Sequence, residues 1–147
     1  MSAKLLARRK RLARVRDAQH TLAVAETARA QAEANAISDN AKRLEKVRAE
    51  LFKADPQLGS TFAAYRELAD RLEKAGKQLE GALYDANKVI DQKQVQQRAA
   101  NRDKEIAERL RERAHERHED EQEARIAALP RKRSMPSRQS DEWGRRK

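Results

Sequence analysis

A chain of 147 residues with 39% charged residues, 3% aromatics and a mean hydropathy of −1.08 holds too little apolar material for an ordinary globular domain, so any core must be a narrow seam. Cysteine is absent, which excludes disulfide and thiolate chemistry, and no apolar run approaches the ~18 residues of a membrane span; with a charged start in place of a secretory signal, the expected location is cytoplasmic. The net charge of +10 implies an acidic partner.

The first predicted element is a helix over residues 3–53, rich in the strong helix formers Ala, Arg, Glu, Lys, Gln and Leu. Leu5, Leu12, Val15 and Leu22 form one apolar stripe, and Ile37, Leu44, Val47 and Leu51 form another. An alanine-rich stretch from Ala23 to Ala36 joins them. The step from Leu22 to Ile37 does not fit a strict heptad, which predicts a register adjustment there. The opening turns are cationic: residues 1–16 contain Lys4, Arg8, Arg9, Lys10, Arg11, Arg14 and Arg16 and no acid, a net +7.

A turn over residues 54–60 follows. Pro56 removes a backbone donor and disfavours helix just before it, Gly59 permits positive φ, and Ser60 or Thr61 can cap the next helix. One such break in a long helical pattern folds the chain back on itself, so the expected fold is all-α, a long two-helix antiparallel coiled-coil hairpin. The second helix spans 61–129. Phe62, Ala69, Gly76, Leu83 and Ile90 repeat every seven residues, with Tyr65, Leu72, Leu79 and Ala86 interleaved as a coiled-coil seam. If Leu51 lies opposite Phe62, facing residues have numbers adding to about 113, which sets Leu44 near Ala69, Ile37 near Gly76 and Leu12 near Asn101, large against small. The first arm then runs out of partners near residue 108, leaving an overhang of roughly 30 Å.

Residues 130–147 carry two prolines, three serines and a net +5 without periodicity, and are expected to be a disordered basic tail. His115, His118 and Glu119 have helical metal-ligand spacing, but they sit in a mixed-charge run with no further ligands; no metal or other cofactor is expected. With four glycines and no globular pocket, no phosphate loop or activated nucleophile is formed, so a small-molecule substrate and catalysis are not expected. The cationic start has no aromatic platforms for base stacking, and a hairpin lacks the forked dimer that lays basic helices into duplex DNA, which weighs against nucleic acid. Leu68, one position before the seam residue Ala69, should project partly outward beside Tyr65 as a protein-binding strip.

The basic opening, Leu6–Gln19, and the segment Tyr65–Ala75 with its Leu72-Glu73-Lys74-Ala75 run, together with the Arg, Lys and Glu that dominate Arg98–Arg113, resemble the FliJ/YscO family of small coiled-coil stalk proteins of type III export. The resemblance implies a non-enzymatic stalk and escort protein of flagellar export, an antiparallel two-helix coil like the shaft of a rotary ATPase. Its terminal end would enter a hexameric export ATPase, and its body would meet the membrane export gate and export chaperones, so the protein would be peripheral to the inner-membrane apparatus. Carried onto this chain, Arg8, Arg9, Arg11, Arg14 and Arg16, with Arg109 and Arg113 on the other arm, would contact the ATPase. Tyr65, Leu68, Leu72, Ala75 and Leu79 would contact the gate or chaperones. The equivalent stalk of a virulence-type secretion system and a basic coiled-coil nucleic-acid-binding protein are the alternatives.

Overall fold

A computed structural model describes residues 1–53 and 59–130. Two helices account for nearly all of it: α1, Ser2–Lys53, and α2, Gly59–Ala127. They pack on one another along their lengths as an antiparallel hairpin, as the single break predicts. Helix bounds lie within two residues of expectation. The remainder of the turn, residues 54–58, and the tail from residue 131, including Trp143, lie outside the described residues, as do the proposed capping side chains of Ser60 and Thr61. Among the described residues, no helix is long and apolar enough to cross a membrane.

The pairing differs from expectation by one heptad. Ser2 meets His118, the Thr27 hydroxyl donates to the Lys93 carbonyl, and a Leu44 methyl lies 3.6 Å from where a side chain at Gly76 would begin. In each pair the numbers add to about 120, not 113, so Leu51 comes level with Ala69 and Leu44 with Gly76. Both frames set large residues against small ones, because the pattern repeats every seven. Polar pairs separate them. In the observed frame Arg16 meets Asp103, Lys104 meets Asp17 and Lys93 meets Glu26, at 3.3, 2.8 and 3.0 Å. One heptad earlier, Lys104 would face Arg9 and Lys93 would face His20. Each surface pair contributes at most about 1 kcal/mol, but a cation opposite a cation inverts the sign, and the difference accumulates over the coil.

The register adjustment expected between Leu22 and Ile37 is absent. The less exposed residues of α1 step by four and three from Ser2 through Leu6, Arg9, Ala13, Arg16, His20, Ala23 and Thr27 to Ala30, Ala34, Ile37, Ala41, Leu44, Arg48 and Leu51. That is an unbroken heptad frame. Apart from Leu6, the first half of the seam is made of small and polar residues, and the larger Leu5, Leu12, Val15 and Leu22, which imitate a seam, lie beside it. In the middle of the coil the small residues answer what stands opposite. Ala30 and Ala34 receive Ile90, with Leu83 and Ala86 packed around them, and large side chains on both helices would overfill the space. In α2 the expected seam is confirmed from Tyr65 to Ile90 and extends through Ala107 and Ala114; Phe62, 56% exposed, falls beyond the end of α1 and is not part of it.

The shifted pairing also moves the overhangs. α1 is partnered up to residue 118, not 108, so α2 projects past the open end by nine residues, about 14 Å. At the closed end Lys53 comes level with Glu67, and α2 begins about two turns beyond α1. The coil is thin: among the described residues the buried apolar ones are Leu6, Ala13, Ala30, Ala34, Ile90, Ala107 and Ala114, five of them alanine.

Candidate functional site

Once the register is set, each residue's flank is set too. On one side of the hairpin, a cleft at the open end is lined by Lys10, Arg14, Asp17, Glu108, Glu112 and His115, a side of mixed charge. On the other side, a groove in the middle of the coil is lined by Val47, Ala75 and Ala82 beside Leu44 and Leu79, with Asn40, Arg43 and Gln78 around them, and this is the more apolar side. Successive residues of one helical row stay on one side, so the apolar side also carries Leu5, Leu12, Val15 and Leu22 of α1 and Leu68, Val89, Ile106 and Leu110 of α2.

The seven arginines expected to meet a partner do not form one surface. Arg9 occupies a seam position and is half-buried. Arg16 is half-buried as well: its guanidinium donates to Asp103 at 3.3 Å and to the Gln19 amide oxygen at 3.0 Å. Both serve the pairing of the helices. Arg14 lies on the mixed-charge side near Glu108 and Glu112. Arg8 and Arg11 of α1 and Arg109 and Arg113 of α2 are exposed, come to the same height along the coil, and form no ion pair among the described residues. These four make the cationic patch of the open end.

Beside the patch the pairing is held by polar groups. Lys104 donates to the Asp17 carboxylate at 2.8 Å; that hydrogen bond and the ammonium charge hold the Asp17 carboxyl below its ordinary value, and the same contact holds Lys104 above its own. At the end itself His118 Nε2 lies 2.9 Å from the Gln122 side-chain amide nitrogen and His118 Nδ1 lies 3.0 Å from the Ser2 hydroxyl. His115 pairs separately with Glu119 at 3.5 Å, so the two histidines face different partners.

The chain matches none of the family models, curated proteins or solved structures compared with it.

Of the residues expected to meet a gate or chaperone, Tyr65, Leu72 and Leu79 are half-buried seam residues. Ala75 and Leu68 lie on the apolar side, and Leu68 is 44% exposed, as its place one residue before the seam predicts. Near the closed end Leu51, Phe52, Phe62, Tyr65 and Ala69 line a hollow, in which Arg48 stands over the Phe52 ring at 5.8 Å. Phe52 and Phe62 are both mostly exposed, and the sequence pattern did not single them out as surface residues. The apolar side itself was missed too. The spacing of Leu5, Leu12, Val15 and Leu22 signals it, but the same spacing imitates a seam.

Proposed function

We propose that the protein is a non-enzymatic stalk and escort component of a type III protein export apparatus, the flagellar one, working in the cytoplasm at the inner-membrane machinery. Its open end would enter a hexameric export ATPase, and its body would meet the export gate and chaperones. The observation that supports this most is a narrow two-helix coil whose open end presents Arg8, Arg11, Arg109 and Arg113 without ion partners among the described residues. A rod of that kind fits a ring's central opening, and unneutralised cations favour an opening lined with acids. Leu68 with Ala75 on the apolar side, and the hollow between Phe52 and Phe62 on the opposite side, offer the body of the rod two places for a second protein contact.

The test replaces Arg8, Arg11, Arg109 and Arg113 by glutamate and measures stimulation and ring assembly of a purified export ATPase. Stimulation should be lost while circular dichroism shows the coil intact, because none of the four holds the helices together. Reversing Arg14 should have a smaller effect, since it lies on the mixed-charge side. Unchanged stimulation by the four-residue variant would remove the stalk assignment.

A further inference from the structure

The strip on the apolar side of the open end has no occupant among the described residues. Leu12 and Leu110 are half-buried at its floor, between the two helices. Val15 and Ile106, 52% and 56% exposed, form its walls, and Leu5 and Leu22 extend it along α1. From Leu5 to Leu22 the strip runs about 25 Å, close to five helical turns. A line of large aliphatic residues lying in the trough between two packed helices is the seat a third helix takes, its own ridge entering the groove.

The charges around the strip decide what kind of helix fits. Arg8 and Arg113 stand in the same helical rows as Val15 and Ile106, with Arg11 and Arg109 one row further out on the backs of the helices, whereas Glu108 and Glu112 at the same height lie on the other side of the coil. The acid present on the strip side, Asp103, is engaged by Arg16. The chain's own tail, at a net +5 over residues 130–147, would bring like charge. A second copy meeting the same face would set these arginines against their equivalents. A membrane surface, being flat, would reach the walls of the strip and leave Leu12 and Leu110 unsatisfied at its floor.

We propose that this strip is the docking face for one acidic amphipathic helix of a partner protein, with leucine-like residues along its buried edge and glutamate or aspartate on both shoulders. The site is independent of which assembly the protein serves, and extends the export proposal by adding a lateral partner beside the end-on one.

The probe is a fluorescent peptide of about 18 residues, with leucine at every third or fourth position and glutamate elsewhere, titrated against the full chain. It should bind and gain helicity, while the same peptide with lysine for glutamate should bind at least about tenfold more weakly. Val15→Asp combined with Ile106→Asp should reduce binding of the acidic peptide by about tenfold or more, with the hairpin unchanged by circular dichroism, since both residues stand outside the seam. Arg109→Glu with Arg113→Glu should shift the preference toward the lysine peptide. Equal binding of the two peptides, or no loss with the double aspartate variant, would overturn the proposal. It would also be overturned if vesicles containing phosphatidylglycerol, or self-association seen by sedimentation, showed the same sensitivity to Val15→Asp and Ile106→Asp and the acidic peptide did not compete.

Discussion

Exchanging a large and a small residue across the seam tests the pairing at one layer. The position of a Cβ at Gly76 is 3.6 Å from Leu44 Cδ2, an ordinary van der Waals contact, so a methyl fits there and anything longer meets the leucine. Gly76→Leu should therefore overfill the layer; its gain in helix propensity, about 1 kcal/mol, is offset by an overpacking cost of about 1–3 kcal/mol. Leu44→Ala alone opens the same layer, and because Leu44 is half-buried its cost should fall near the lower end of the range for such changes, about 2 kcal/mol. Together the two substitutions exchange large for small across one contact. The double variant should be more stable than the sum of the single effects by about 1–3 kcal/mol, read from urea unfolding followed at the helical dichroism band. Gly76→Leu combined with Ile37→Ala should show no such coupling, because Ile37 lies one heptad away, level with Leu83. Coupling to Ile37 in place of Leu44 would place the helices in the frame whose numbers add to 113 and refute the register.

Gly81 has nothing within 4 Å of a Cβ, so Gly81→Ala should raise stability by about the bare propensity gain, ~1 kcal/mol, in the same assay. Leu72→Asp puts a carboxylate into the seam and should cost several kcal/mol and much of the helicity, whereas Leu68→Asp should leave the dichroism nearly unchanged; equal losses would move the seam by a position. The Asp17 carboxyl is held below its ordinary 3.8 by the hydrogen bond from Lys104, so its contribution to stability is present above that value and is lost as pH falls through the lowered one. Lys104 is held above its ordinary 10.5, so its contribution is present below 10.5 and is lost as pH rises through the raised value. Asp17→Asn should flatten both limbs of a stability profile against pH, and an unchanged acid limb would show that the pair does not form in solution.

The hairpin was legible because a single proline and glycine interrupt a long helical pattern, and α2 was legible because Phe62, Ala69, Gly76, Leu83 and Ile90 advertise a heptad with apolar side chains of unambiguous spacing. α1 hid its seam. Ala30 and Ala34 hold seam positions where Ile90 supplies the volume opposite, Ala13, His20 and Ala23 face residues that are themselves small or polar, and no pattern within α1 records what faces it. A slip of seven residues leaves every periodic feature unchanged, so the pairing number could be fixed only by groups that do not repeat, such as Asp17 with Lys104 and Ser2 with His118. The same dependence governed the site. That Arg8, Arg9, Arg11, Arg14 and Arg16 are cations was plain from the sequence. Which of them is spent in the seam, which faces acids and which stands beside Leu12 and Leu110 required the register first.

Association at the open end separates the stalk proposal from its nucleic-acid rival most directly, because both use the same cations. The measurement is binding of the intact protein to a purified hexameric export ATPase and to mixed-sequence DNA between about 50 and 200 mM salt; a protein held by six or more phosphates loses about a thousandfold or more across that range. A rod held in a ring by shape as well as charge should keep most of its affinity for the ATPase at the higher salt and bind DNA weakly throughout. Submicromolar DNA binding at the higher salt, with no effect on the ATPase, would contradict the account.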